Sequence, residues 1–173
     1  MKQPAIVVLS KHPDLFAASK AALDEWAPTV PKILVRDGDW IDIPVDGWQT
    51  VAGARPFGFS ANANLGFQAA GDRDVVLMND DAYPMHRFLE PLREAAYADR
   101  NGIVSPQVIG AARLCQRRPS QRIEQARMVA FVAVYLRRDM INELGPMDER
   151  FSCSYEDDDY CLRAKLAGWN VVV

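Results

Sequence analysis

Two kinds of hydrophobic pattern alternate along this chain. Short apolar runs rich in Val, Ile and Leu predict strands at residues 5–9, 32–35, 48–51, 74–78, 129–136 and 170–173, with 5–9 buried. Longer stretches with apolar residues at helical spacing predict helices at residues 13–26, 60–70, 86–98, 139–144 and 157–167. Strands that alternate with helices are typical of an α/β fold with a Rossmann-like, mainly parallel central sheet flanked by helices.

The region 102–125 shows neither pattern, and we predict an irregular, mobile loop there. It carries the four arginines Arg113, Arg117, Arg118 and Arg122. Their charge fits an anionic acceptor or a phosphate, although a solvated basic loop is the more common meaning of such a stretch.

Composition suits one compact domain. Of 173 residues, 49% are hydrophobic and 25% are charged, which provides enough apolar material for a core. No internal repeat, low-complexity tract or linker divides the chain, so we expect one domain over residues 1–173. Twenty Lys and Arg residues against 23 Asp and Glu residues give a formal net charge of −3, so a general nucleic-acid-binding protein is disfavoured.

Other classes are disfavoured by the lengths and spacings of short motifs. The longest apolar run, 128–136, has nine residues, whereas a transmembrane helix needs about 20. The run after Met1 is too short for a signal peptide. Three cysteines without CxxC spacing indicate reduced thiols, and we therefore expect a cytoplasmic protein. The two histidines, His12 and His86, lie in no metal-site or triad motif.

Acidic residues follow two of the predicted strands. Asp37 comes after ILVR, and Asn79, Asp80 and Asp81 come after VVLM. Carboxylates at strand ends can project into one crevice, where they can hold Mg²⁺ or Mn²⁺ and a diphosphate. Asp81 is the candidate direct metal ligand, and Asn79 can hydrogen-bond a ribose or a metal-bound water. Each cluster is also compatible with an ordinary surface turn.

A third acidic cluster, YEDDDY, opens the last predicted helix. Asp157, with Glu156 beside it, is the candidate general base that accepts a proton from an acceptor hydroxyl, an effect of about 10²–10⁴ in rate. Mutual repulsion raises proton affinity in such a cluster, while the helix amino end opposes the rise. Arg163 has the i,i+4 spacing for pairing with Asp159. Capping of an exposed helix is the alternative meaning.

The segment 57–66 (FGFSANANLG) precedes the second predicted helix and is rich in small residues and Asn. Small residues permit close backbone approach, and a helix amino end there can face a phosphate. The alternative to a phosphate site is a capped amphipathic helix whose apolar residues pack against the core.

In their order, these motifs resemble those of family 2 glycosyltransferases, the inverting enzymes with the GT-A fold, and especially the rhamnosyltransferase-like branch. FGFSANANLGFQAA before VVLMNDDAYP is similar to the family's N-x-G-F-x-x-x-x-N-x-G phrase and its N-x-D or D-x-D strand end. Residues 145–151 resemble its G-x-x-D-E-x-F turn, and residues 156–163 its E-D-x-D-x-x-x-R helix. The resemblance covers residues 5–173.

The resemblance implies a role for each matching residue. Asp37 would contact the base, Asn64 the nucleotide or sugar, and Asp81 the metal and diphosphate. Asp157 would be the catalytic base, with Glu156 beside it. The rest of the donor-binding set is then Asn79, Asp80 and Arg163.

The predicted function is therefore a metal-assisted, hexosyltransferase-like inverting glycosyltransferase that uses Mn²⁺ or Mg²⁺ and a nucleotide-diphosphate sugar. Its acceptor hydroxyl could belong to a glycan, a lipid-linked glycan, a protein or a modified nucleobase, and a homo-oligomer is left open. Many relatives continue past the last strand, so the domain is expected to be minimal or truncated at its C-terminus. The alternatives are a non-catalytic nucleotide-sugar or partner-binding module and, less well supported, a sugar nucleotidyltransferase.

Overall fold

A computed structural model describes residues 1–37, 45–110, 113–117, 120, 122–151 and 154–173. The strands in this part of the chain are β1 Pro4–Ser10, β2 Lys32–Arg36, β3 Gln49–Ala52, β4 Asp74–Asn79, β5 Asn101–Val104, β6 Ala133–Leu136 and β7 Asn170–Val172. The helices are α1 Pro13–Trp26, α2 Phe59–Ala70, α3 Leu89–Ala98, α4 Leu114–Arg117, α5 Arg138–Leu144 and α6 Glu156–Leu166. None of these helices is long and apolar enough to cross a bilayer.

The described strands form one mixed sheet in the order β3-β2-β1-β4-β6-β5-β7. Strands β3, β2, β1 and β4 run parallel, with Ser10 opposite Arg36 and Leu9 opposite Asn79. Strand β6 is antiparallel to both β4 and β5, so β5 runs in the direction of β4. We call the edge at which β1, β2, β4 and β5 end, and at which β6 begins, the carboxyl edge.

Helices cover both faces of the sheet because the strand side chains alternate between two apolar clusters. Val7 and Leu77 pack on the face covered by α2, α5 and α6. Ile6 and Val76 pack on the face covered by α1 and α3. The continuous apolar runs of β1 and β4 therefore mark strands buried on both sides, as expected for the inner strands of an α/β sheet. The predicted α/β fold is confirmed.

The prediction of an irregular loop over residues 102–125 is wrong at both ends. Strand β5 occupies its beginning, where a Cβ at Gly102 would lie 2.5 Å from the Met140 sulfur. The close approach of α5 thus requires a glycine inside the strand, and that glycine weakens the strand pattern. At the other end, Glu124 forms backbone hydrogen bonds with Val173, directly after β7, and Ala126 donates to Val171 in β7.

The middle of the same region is anchored by one buried side chain. Gln116, in α4, donates to the Ser105 hydroxyl at 2.8 Å and to the Ala130 carbonyl at 3.0 Å. Its own oxygen accepts from the Ala130 N–H at 2.9 Å. The predicted strand at 129–136 is also shorter than expected, because residues 129–132 leave the sheet and run along the carboxyl edge.

Helix α2 lies directly on β1 at a glycine. A Cβ added to Gly66 would lie 2.3 Å from a methyl carbon of Val7, which is far inside normal contact. At Gly58, where α2 begins, the nearest atom to an added Cβ is at 3.7 Å, an ordinary contact distance.

We expect Gly66→Ala to lower the free energy of unfolding by about 1 to 3 kcal/mol through overpacking against Val7. Higher helix propensity alone would make the same change stabilising by about 1 kcal/mol, so the two effects have opposite signs. Urea denaturation measures the difference, with Gly58→Ala as the matched control. Equal or greater stability of the Gly66 variant would show that α2 does not contact β1 this closely.

Candidate active site at the carboxyl edge

Asp80 joins the ends of β1 and β4. One of its carboxylate oxygens, Oδ2, accepts hydrogen bonds from the Ser10 hydroxyl at 2.8 Å and from the N–H groups of Lys11 and His12, each at 3.0 Å. The residue is buried. Although Asp80 was predicted to bind the donor, this oxygen is already used to shape the turn after β1.

Asp37 lies beside this junction. Its N–H donates to the Ser10 carbonyl at 2.8 Å, so β1 holds the end of β2 as well as the end of β4. Asp37 is 5% exposed, and its Oδ2 is a buried oxygen without a hydrogen bond to the described residues. An unsatisfied buried acceptor costs about 1–3 kcal/mol, which a ligand's N–H or O–H group would recover.

The start of α2 has two further buried polar atoms without partners in the described part of the chain, the Ser60 hydroxyl and the Asn62 Nδ2. Asn62 Oδ1 accepts from the Ala54 N–H at 2.7 Å, which fixes the side chain. Because the loop from β3 leads into α2, these atoms lie toward the carboxyl edge. Of these polar residues, only Asn64 was predicted to bind the nucleotide or the sugar. The pattern that could have indicated Ser60 and Asn62 is polar residues on the buried face of a helix rich in small residues.

Asn64 is engaged within the protein. Its amide nitrogen donates to the Met147 carbonyl at 3.0 Å and to Glu149 Oε1 at 2.9 Å. Its oxygen accepts from the Met147 N–H at 2.8 Å. The side chain therefore holds the turn around Met147 and Glu149.

The acidic cluster opens α6 at the same edge of the sheet. Helix α6 leads into β7, which is parallel to β5, so the amino end of α6 lies toward the carboxyl edge. Burial raises the pKa of Asp157, and repulsion by Asp158 adds to the rise. Burial likewise raises the pKa of Glu156, and its Oε2 is buried without a partner among the described residues. Both carboxyls thus hold protons more strongly than exposed acids do.

The four acids of α6 divide into two pairs with different surroundings. Asp158 forms an ion pair with Arg113, and Asp159 forms the predicted i,i+4 ion pair with Arg163 at 2.9 Å. Arg163 also donates to the carbonyls of Leu144 and Pro146. Asp157 and Glu156 have no ion pair within the described ranges.

A short segment connects this helix with the turn after β4. The Cys161 thiol lies 3.9 Å from the Val129 carbonyl, and the Asn79 N–H donates to the Val132 carbonyl at 3.0 Å. Even fully extended, the steps from Val129 to Val132 span only about 11 Å. The acidic end of α6 and the turn after β4 therefore flank one segment at the carboxyl edge.

Asp81 is exposed and makes no hydrogen bond or ion pair with a described residue. It lies on the rim of a cavity of about 520 Å³. In the described part of the chain, no three His, Cys, Asp or Glu side chains are grouped to hold a metal ion. A cation at this edge would therefore have fewer than three such protein ligands among the described residues, with ligand oxygens and water completing its shell.

A second, more open depression of about 570 Å³ lies at the 144–150 turn. Its charged groups are paired with one another, since Arg150 donates to both oxygens of Asp148. This pairing lowers the pKa of Asp148 to about 2. The depression thus presents satisfied charges, unlike the carboxyl edge.

Comparisons with known proteins establish the fold. No protein-family model matches the chain, and no curated protein matches it in sequence. It is similar to the crystal structure of GalNAc-T7 with UDP, GalNAc and Mn²⁺, with a TM-score of 0.83 and 11% identity over 99% of this chain. The match spans 42% of the GalNAc-T7 chain. The predicted GT-A fold is confirmed, and membership of family 2 stays a prediction.

The two neighbouring aspartates after β4 are expected to respond differently to mutation. Asp80→Ala removes three acceptor contacts to the β1 turn and should lower the free energy of unfolding by about 2 to 4 kcal/mol. Asp81→Ala should change it by less than about 0.5 kcal/mol, because an exposed side chain without described partners is removed. Urea denaturation compares them, and equal losses would contradict this division of roles.

Proposed function

We propose that this protein is a metal-dependent glycosyltransferase that transfers a sugar from a nucleotide-diphosphate sugar to an acceptor hydroxyl. The main support is the set of acidic groups that lie on elements ending or beginning at the carboxyl edge of a GT-A fold. Among the described residues, the buried Oδ2 of Asp37 has no hydrogen-bond partner and exposed Asp81 has no partner, and the pKa of Asp157 is raised. The similar GalNAc-T7 structure holds UDP, GalNAc and Mn²⁺.

In this proposal, Asp37 binds the nucleoside part of the donor. Its free oxygen accepts an N–H or O–H group from the base or ribose. Asn79, half-buried at the end of β4, contributes its side-chain amide toward the ribose or diphosphate. Asp80 supports the site through its hold on the β1 turn, and Asn64 and Arg163 do so by fixing the 144–149 turn.

Asp81 would hold Mn²⁺ or Mg²⁺ together with diphosphate oxygens. Hard cations of this kind prefer carboxylate and phosphate oxygens. Such an ion, when bound, supplies positive charge that stabilises the departing diphosphate.

Asp157 is proposed as the general base. It accepts the proton of the acceptor hydroxyl while the hydroxyl oxygen forms a bond to the anomeric carbon. The bond from that carbon to the diphosphate oxygen breaks, and the nucleoside diphosphate leaves with the electron pair. Attack from the face opposite the leaving group inverts the anomeric centre. A raised pKa suits Asp157 to this role, since a stronger base removes the proton more readily.

A second candidate function is a binding module that holds a nucleotide sugar or a partner without turnover. It is favoured by the 42% coverage of the GalNAc-T7 chain, because residues outside the matched part could be needed for catalysis. The two candidates share the donor site and differ in the role of Asp157.

We expect Asp157→Asn to lower kcat by about 10²–10⁴ while the donor Kd changes by less than about threefold. Asn has nearly the same shape but cannot accept the proton. The measurement is turnover with a panel of nucleotide sugars and Mn²⁺, together with calorimetric donor binding. Asp72→Asn, an exposed aspartate at the opposite edge, is the control.

Two outcomes of this experiment separate the candidates. If the wild-type protein binds a donor but neither transfers nor hydrolyses its sugar, the binding module is favoured. If no donor binds or is hydrolysed, and Asp81→Ala leaves donor binding and turnover unchanged, the transferase is wrong and the alternative is a module that binds a partner.

The pH dependence of kcat should change when the positive charge of Arg113 is removed. Its positive charge lowers the pKa of Asp157, so Arg113→Met should raise that pKa and move the acid limb of the pH profile to higher pH. Arg117→Met, an exposed arginine at the end of the short helix α4 that follows Arg113, should leave the limb in place. An acid limb that stays fixed, or that moves to lower pH, would argue against Asp157 as the base.

A further inference from the structure

The cavity beside Asp81 lies where a second substrate would meet the donor. Val76 and Met78 of β4 form one wall, and residues 106–110, which follow β5, form the opposite wall. Asp37 follows β2, on the other side of β1 and β4 in the sheet. Asp81 therefore stands between the proposed nucleoside site and this cavity.

The lining of the cavity is mostly apolar. Tyr83, Met85 and Phe88 follow Asp81 along the chain, and Ile109 faces them from the other loop. Three of these side chains are strongly exposed, with Tyr83 at 55%, Met85 at 72% and Ile109 at 97%. Exposed apolar side chains clustered around a cavity are typical of a binding site.

The charges of the cavity lining disfavour some classes of ligand. No described lining residue is basic, and the charged one is Asp81. Gln107 also lines the cavity, but its amide nitrogen already donates to the Ser120 carbonyl at 2.6 Å. In the absence of a bound cation, a phosphate or carboxylate would face the negative charge of Asp81 without a counterion, and a bare sugar would find few hydrogen-bond partners.

Shape and side-chain type favour an aromatic ligand. A volume of about 520 Å³ accommodates a molecule of a few fused rings. Two aromatic rings and the thioethers of Met78 and Met85 line it, and both group types make favourable contacts with a bound ring.

We infer that this cavity binds the aromatic body of a neutral acceptor and presents its hydroxyl group on the Asp81 side, toward the donor. This inference rests on the proposed glycosyl transfer for the acceptor role, and on the cavity alone for the binding of the ring. The cavity lies on the face of the sheet covered by α3, whereas α6, which carries Asp157, covers the other face. The segment 129–132 joins the two faces at the carboxyl edge, since Val132 lines the cavity and Val129 contacts α6, so the acceptor hydroxyl would reach Asp157 across this edge.

The test uses 2-naphthol, an uncharged hydroxyl-bearing aromatic near neutral pH, and follows its fluorescence on titration with the protein. Methyl glucoside and 2-naphthyl phosphate compete as a polar and an anionic probe. We expect 2-naphthol to bind and neither competitor to displace it at equal concentration. Met85→Asp and Ile109→Asp should each weaken binding by tenfold or more, because each adds a second carboxylate to the rim.

Leu166→Asp is the matched control, because it places the same charge at a leucine that is 79% exposed and lies outside the cavity. It should leave naphthol binding unchanged, and circular dichroism should show all three variants folded. Binding that is absent in the wild type, or equally strong in Met85→Asp and Ile109→Asp, overturns the inference.

Donor binding, measured separately with Mn²⁺ and nucleotide sugars, keeps the two proposals distinguishable. If sugar is transferred to methyl glucoside but not to 2-naphthol, the transferase proposal stands and the aromatic acceptor is wrong. If 2-naphthol binds in the cavity but no donor binds, the transferase proposal and the acceptor role fall together, and the cavity remains an aromatic binding site.

Discussion

The hydrogen bonds of Asp80 are the constraint on which the rest of the carboxyl edge depends. A single carboxylate oxygen gathers a hydroxyl and two backbone N–H groups from the turn after β1. Ser10, one of these donors, also binds the backbone of Asp37. Three strand ends are thereby held in one arrangement, and the free oxygen of Asp37 and the exposed carboxylate of Asp81 take their places relative to it.

Most of the fold could be predicted because most strands are short apolar runs and the helices have apolar residues at regular spacing. Helix α1 matches its predicted bounds, since a proline at its first position and Trp26 at its last frame a clear pattern. Strand β5 was missed because it contains Gly102, which weakens the strand pattern. The glycine is required by the close approach of Met140, a residue distant in the sequence. Local pattern carries no information about such a contact.

For the candidate site, the sequence indicated where carboxylates collect but not which partners they bind. Acidic residues after a strand or at the start of a helix indicate where carboxylates collect, and the structure brings Asp37, Asp81 and Asp157 to one edge. Which of two adjacent aspartates points inward depends on Ser10, Lys11 and His12, residues about seventy positions away. Likewise, the pairing of Arg113 with Asp158 could not be read from spacing, whereas that of Arg163 with Asp159 could, because it lies within one helix.

The arginine-rich region combines one buried side chain, Gln116, with exposed neighbours. Its buried amide ties the end of β5 to the segment before β6, while exposed Cys115 and Arg117 flank it in the same short helix. Gln116 thus stabilises the fold in this helix, while Cys115 and Arg117 face solvent. Evolution could diversify those outward positions and retune which molecules approach, while the buried amide preserves the geometry beneath.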